Sequence, residues 1–345
     1  MNFSQTKPSP FSEVKDILAK YREPKVSRSL WQLVTAVLPV FVLWYLMWVS
    51  LSYSYALTLL LAVPTAGLLL RIFMIQHDCG HGAFFKRTWA NNIVGIFLPV
   101  FTMVPYHHWR KNHALHHATA GDLDNRGYGD IVTYTVDEYL KLSPGKRFFY
   151  RLYRHPLFLF GVAPLFHFVV QQRIPRAFSR SWKREQVSVY VTNLMLLTVA
   201  LLLCWLVGFR AFFLIHFPVI AMAATAGVWL FYVQHQFDGT YWQHKEEWDY
   251  FNAGMLGSSY YKLPKVLQWF TANIGLHHIH HLDSRIPNYR LQECHDENPI
   301  FQKAKELTFF ESFSCMSLRL WDEKRGSMIS FRELKNMEWL SQEGS

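Results

Sequence analysis

Residues 55–81 read YALTLLLAVPTAGLLLRIFMIQHDCGH. The part from Tyr55 to Ile75 is apolar for about twenty residues, the length of helix that crosses a hydrocarbon core. Its one charge, Arg71, stands near the end, where its long stem can snorkel to the interface. Just beyond comes His77-Asp78-Cys79-Gly80-His81, expected on an extension of the same helix. Residues four apart share a helix face. One stretch therefore joins a membrane span to a pair of potential metal ligands.

Outward from this stretch the apolar blocks repeat. One runs from about Leu30 to Ser52, one from about Val187 to Val207 and one from about Ala211 to Val233. The links Leu51–Ser54 and Gly208–Arg210 are too short for anything but tight helical hairpins. The expected fold is an all-α membrane protein, with four spans in two hairpins and a cytosolic helical cap holding a histidine-rich site. Residues 1–29 are an N-terminal segment and 30–234 a membrane domain with an insertion at 76–186. Residues 235–345 form the cap and tail. The fifteen or so residues from Asn91 to Pro105 are short for a span and read as a buried or re-entrant helix. Pro156 to Val170, with Pro164 and His167, reads as an interfacial helix. In the tail, Leu318 to Phe331 around Arg325-Gly326 reads as a hairpin or turn.

Hydrophobic residues make up 51% of the 345, aromatics 17% and charged residues only 17%, which excludes an ordinary soluble composition. The net charge of +10 does not indicate nucleic acid, because the basic residues cluster beside apolar spans. Arg173, Arg176, Arg180, Lys183 and Arg184 read as a juxtamembrane anchor, and Lys7, Lys15, Lys20, Arg22, Lys25 and Arg28 precede the first span. The two outer links hold a single basic residue, Arg210. The positive-inside rule therefore puts both termini and every histidine cluster in the cytosol of a multi-pass cell-membrane protein. The first thirty residues lack the apolar core of a signal peptide. Cys79, Cys204, Cys294 and Cys315 form no CxxC pair, so no disulfide framework is implied.

Two further clusters, His113-Ala114-Leu115-His116-His117 and His277-His278-Ile279-His280-His281, both read HxxHH. With 17 histidines in 345 residues, one such motif is expected by chance on the order of 0.04 times. Helical spacing lets each cluster aim its rings at a common point. The eight imidazoles of His77, His81, His113, His116, His117, His277, His280 and His281 are about twice the need of one tetrahedral ion. Two metals with open positions are the natural reading. His235, at the end of the fourth span, is a ninth candidate. His107, His108 and His278 fall off the shared faces, and His167 and His216 stand alone in apolar stretches. Asp78 and Asn273 are candidates to orient rings, Asn273 because it lies one helical turn before His277. Pro264 suits the start of the helix that carries the third cluster, with Val266, Leu267, Phe270 and Ile274 on one face. A histidine-held redox metal beside a lipid points to oxygen chemistry on unactivated methylenes, which favours iron. A divalent-metal transporter is the rival of another class; it needs ionisable groups near mid-membrane, and these spans have almost none.

At these residues the chain resembles the membrane fatty acid desaturases. HDCGH at 77–81 and HxxHH at 113–117 and 277–281 match that family's three boxes. The flanks Gly227–His235 and Asn273–His278 are similar to the bacterial acyl-lipid desaturases, the group that includes Δ5 and Δ12 enzymes. The resemblance implies a mushroom-like fold and two iron ions (Fe2+/Fe3+) held by the eight box histidines, and it supports His235. It implies dioxygen-dependent insertion of a cis double bond into an acyl chain of a membrane phospholipid or glycolipid. It also implies a separate electron donor: ferredoxin, flavodoxin or cytochrome b5. The acyl-CoA branch has asparagine four residues before the histidine on the fourth span; here that position is Phe231. A hydroxylase or carotenoid oxygenase on the same scaffold is the alternative outcome.

Overall fold

The computed structural model describes residues 10–175 and 181–343. Lys7, Arg176 and Arg180 of the basic clusters lie outside them. A short helix α1 (Pro10–Ala19) precedes the first long pair, α2 (Val26–Ser50) and α3 (Tyr55–His81). Both are apolar and long enough to cross a membrane. Ser50 Oγ and Thr58 Oγ1, 2.7 Å apart, tie the hairpin at its closed end. The helix α3 is central. It packs Leu68, Ile72 and Ile75 with Ala36 and Val40 of α2. Arg71 does not snorkel; it is buried, with its guanidinium 4.1 Å from the Trp269 ring and donating to the Trp269 carbonyl. The cap folds down over this end of α3, so a cation–π contact replaces water.

The stretch Asn91–Pro105, read as a buried or re-entrant helix, is a broken one. Helix α4 (Thr88–Phe97) runs into the single turn α5 (Pro99–Thr102), and Met103 then takes a left-handed φ of 60°. The chain turns by 99° into α6 (Tyr106–Thr119), the carrier of the second histidine cluster. Pro99 opens α5 and Pro105 caps α6, and neither can donate to a preceding turn. Next come α7 (Val136–Lys141), started by a capping box of Thr135 and Glu138, and α8 (Pro144–Tyr153). The run Phe158–Val170 is helical, with π turns on both sides of α9 (Ala163–Leu165). Pro164 lacks the N–H that an α register would use there.

The second long pair is α10 (Lys183–Val207) and α11 (Phe209–His235), joined at Gly208 and also apolar enough to span. Ile215 and Val219 of α11 pack with Met47 of α2 and Ala62 of α3. Large apolar side chains such as Trp31, Leu194 and Trp205 point outward from the bundle, and so extended an apolar surface needs lipid against it.

The remaining elements form the cap: α12 (Tyr250–Met255), β1 (Tyr260–Lys262), α13 (Lys265–Phe270), α14 (His277–Leu282), α15 (Asn288–Glu297), β2 (Glu306–Thr308), the pair β3 (Leu320–Asp322) and β4 (Ser327–Ile329), and α16 (Phe331–Glu343). β1 and β2 pair in parallel, and β3 and β4 form the antiparallel hairpin expected around Arg325-Gly326. The 3.6-residue period from Pro264 holds only to Phe270. Ala272 and Asn273 then adopt left-handed φ of 48° and 58°, which separates α13 from α14. Tyr261 N donates to Gly275 O at 2.7 Å, and a Cβ on Gly275 would lie 2.2 Å from the Tyr261 carbonyl. Only glycine lets β1 approach closely enough to fix the start of the third cluster.

Arg154 is fully buried beneath the cap. It donates to Val132 O, Thr133 Oγ1, Gln236 Oε1, Tyr232 OH and Leu318 O at 2.9–3.3 Å. It thereby joins the end of α11 to the β hairpin. Arg154→Met strands several buried acceptors, each worth about 1–3 kcal/mol, and should lower the unfolding temperature of the detergent-purified protein by several degrees. An unchanged transition would show that these bonds do not hold the cap.

His244 lies between Asp124 at 2.9 Å and Glu323 at 3.0 Å. Hydrogen bonds to Glu323 and then Asp124 raise its pKa to about 8. The protonated ring's contribution is therefore complete below about pH 6.5, the unfolded value, and is lost as pH rises through about 8. The stability gap between wild type and His244→Ala should be present at pH 6 and vanish at pH 9. A gap independent of pH would refute this.

Candidate metal centre

Four elements deliver nine imidazoles to one chamber. His77 and His81 come from the last two turns of α3, and His113, His116 and His117 from α6. His235 is the final residue of α11, and α14 supplies His277, His280 and His281. Their nitrogens sort into two groups. One contains His77, His81, His113, His117 and His280; the other contains His116, His235, His277 and His281. Within each group the ligand atoms lie within 4.8 Å of one another.

The expectation that each cluster aims at one point is corrected here. In each HxxHH cluster the pair four residues apart enters one group and the remaining histidine enters the other. His113 and His117 join the five-membered group while His116 joins the four-membered one; His277 and His281 join the latter while His280 joins the former. Neighbouring residues such as His116 and His117 diverge by about 100° around a helix axis, whereas residues four apart differ by about 40°. The two groups touch through His117 and His281, which stack at 4.2 Å.

The nitrogen spacing fits metal ions. Nε2 of His113 is 3.0 Å from Nε2 of both His77 and His117, and Nε2 of His117 is 3.0 Å from that of His280. In the other group the Nε2 separations are 3.2 Å for His116–His235, 3.0 Å for His235–His277 and 3.1 Å for His277–His281. Two imidazoles bound at right angles to one ion, with bonds of about 2.1 Å, have nitrogens about 3.0 Å apart. His81 Nε2 is buried without a hydrogen-bond partner, which in an interior is costly unless a cation takes it up. Burial, followed by the neighbouring imidazoles, holds His277, His280 and His281 well below the usual histidine pKa. These rings are neutral at pH 7, with lone pairs free for a metal.

Orienting contacts follow a pattern that the sequence reading found only in part. Asp78 Oδ1 lies 3.3 Å from His77 Nδ1, and Asp78 Oδ2 accepts from Asn288 N and Nδ2, both at 2.8 Å. Asn288 is also bonded to Gln32 of α2. Asn273 is not one helical turn from His277, because the chain is left-handed there; its side chain donates to Asn288 O at 3.0 Å. The shortest orienting contact, Asp130 Oδ1 to His116 Nδ1 at 2.7 Å, was not anticipated. Asp130 sits in a loop fourteen residues from its partner, where no helical spacing signals it. His235 Nδ1 lies 3.2 Å from Gly257 O.

Aromatic rings wall the chamber. Trp109 stacks on His113 at 4.5 Å, and Phe231 lies 5.1 Å from both His116 and His235. A cleft with about 20 Å³ of free space reaches the four-membered group past Phe231, Asp130 and Arg126, enough for a water-sized molecule. His107, His108 and His278 stay outside both groups: His107 meets Arg184, His108 meets Asn112, and His278 faces Tyr260 and His295. His167 bonds Gln171, and His216 bonds Trp44 and the Phe212 carbonyl. A Cβ on Gly80 would lie 2.8 Å from Trp109. Gly80→Ala should therefore push Trp109 off His113 at a cost of about 1–3 kcal/mol and lower metal content; full metal loading would refute it.

A sequence model described as fatty acid desaturase matches residues 52–312, which contain all nine histidines. The chain is 42% identical over 320 residues to a fatty acid desaturase of Bacillus subtilis (strain 168), covering 93% of this chain and 90% of that one. It is 31% identical over 245 residues to an sn-1 acyl-lipid omega-3 desaturase (ferredoxin) of Synechocystis, covering 65% of this chain and 62% of the relative. An sn-1 oleoyl-lipid 12-desaturase of the same organism is 25% identical over 243 residues, covering 65% and 63%.

Proposed function

The chain belongs to the fatty acid desaturase family, and from that premise we propose that it is an acyl-lipid desaturase whose two histidine groups each hold one iron ion. The carrying observation is the convergence of nine imidazoles into a group of five and a group of four at the ends of helices apolar enough to span a membrane. The ligands are His77, His81, His113, His117 and His280 for one ion and His116, His235, His277 and His281 for the other. The flanking sequences Gly227–His235 and Asn273–His278 favour the bacterial acyl-lipid branch with its Δ5 and Δ12 enzymes.

The net reaction removes one hydrogen from each of two adjacent methylenes and forms a cis double bond. The acyl chain gives up two electrons with its two protons, an external donor gives two more electrons and solvent two more protons, and dioxygen leaves as two waters. When bound, the irons supply the oxidising power for this step. The protein holds and orients the rings through Asp130, Asp78 and the Gly257 carbonyl. Phe231 and Trp109 pack against His116, His235 and His113 and give the chamber an apolar wall. No side chain is needed as nucleophile or general base.

Two relatives, from Synechocystis and Nostoc, are named as ferredoxin-dependent, which favours ferredoxin, with flavodoxin as a second acidic candidate for the basic surface. The concentration of lysine and arginine on one side of the spans supports a cell-membrane location, with the metal centre and both termini facing the cytosol. Expression in a host without desaturases, followed by gas chromatography–mass spectrometry of lipid acyl chains, tests the assignment. New cis-unsaturated chains are expected. Hydroxylated chains, or unchanged lipids from an iron-loaded protein with a working donor, would overturn it.

A further inference from the structure

Away from the metal chamber, a groove of about 390 Å³ opens where the first turns of α10 meet α4 and the start of α6. That volume is in the range of sites for small organic ligands, about 300–1,000 Å³. Its walls divide by chemistry. Ile96, Val187 and Val191 form an apolar trough along the lipid-facing side of α10, and Lys183, Arg184 and His107 stand at one end. Val187 and Val191 are exposed, as are Lys183 and Arg184. Arg184 Nη2 is 3.2 Å from His107 Nε2, which holds the guanidinium at the mouth. Among the described residues neither Lys183 nor Arg184 has an ion-pair partner. Burial, then Arg184 and Arg110, push the His107 pKa down to about 4 against the opposing pull of Glu185. The field at the mouth is therefore positive although one carboxylate is near.

The geometry points to a seat for an anionic glycerophospholipid, its phosphate between Lys183 and Arg184 and one acyl chain along Ile96, Val187 and Val191. The charges match a phosphodiester, and the trough continues onto helix surface that needs lipid in any case. The seat is separate from the reaction chamber. His107 and His116 are nine residues apart on α6, two and a half turns, so they point to opposite sides of that helix. The bound lipid is a resident one, wedged between α6 and α10, and its retention does not depend on metal or turnover.

Native mass spectrometry of the detergent-purified protein, offered equal amounts of phosphatidylglycerol and phosphatidylcholine, reads this directly. An excess of about thirtyfold of phosphatidylglycerol-bound protein is expected from two basic side chains, with or without added iron. Lys183→Gln with Arg184→Gln should bring the two lipids to parity, while Lys183→Arg with Arg184→Lys keeps the excess. Val191→Trp fills the trough without changing charge and should lower occupancy of both lipids. Parity in the wild type, or an excess that survives the double glutamine variant, overturns the proposal. So does conversion of the retained lipid during turnover, which would make the groove the substrate's own seat. Because binding is read without catalysis, a failed desaturase assay and a failed lipid seat are distinguishable.

Discussion

His116→Ala is expected to cost the protein about one of the two irons proposed for it and to cut desaturation by more than about 100-fold. The four-membered group would be left with His235, His277 and His281. The same change strands Asp130, whose Oδ1 lies 2.7 Å from His116 Nδ1, beside the vacated space. His117→Ala gives a useful contrast. It takes one ring from the five-membered group and leaves four, so it should lose less metal while also losing activity. Iron per protein by elemental analysis, together with acyl-chain turnover, separates the two variants. A His116→Ala protein with normal iron and normal turnover would sink the assignment of ligands.

Asp130→Ala should weaken metal binding at the four-membered group, or slow turnover, by about 10–100-fold. The carboxylate accepts from His116 Nδ1, which leaves Nε2 as the lone-pair end facing His235 Nε2 at 3.2 Å. It also holds its own loop through Gly127 N. Asp130→Asn keeps the shape and loses the charge, so it should fall between alanine and wild type. Metal titration of the stripped variants is the direct measurement. Wild-type affinity in Asp130→Ala would mean that packing alone sets the ring. Gly80→Ala acts on the other group through Trp109 and should leave this one intact.

Much of this protein is local and was readable. Apolar runs of about twenty residues mark helices whatever surrounds them, and α2, α3, α10 and α11 are such helices. The three clusters were visible because helical spacing is a short-range property, and His235 because it stands at the end of the fourth apolar run. Breaks were harder to see. Between α13 and α14 the apolar period carries on, yet Ala272 and Asn273 turn left-handed because β1 and Gly275 pull the chain aside. That contact joins distant segments and has no local signature. It removed Asn273 from the rings, just as the cap covered Arg71.

The sequence by itself determined the four apolar helices, the histidine count and the family to which those boxes belong. The tertiary structure alone decided how the histidines divide. Spacing on one helix says which rings share a face, but the partner of each face lies on another helix. Only the packing of α3, α6, α11 and α14 sends His116 to one group and His117 to the other. The same packing brought Asp130 to His116, since a loop carboxylate acquires its role only when the chain folds back on it.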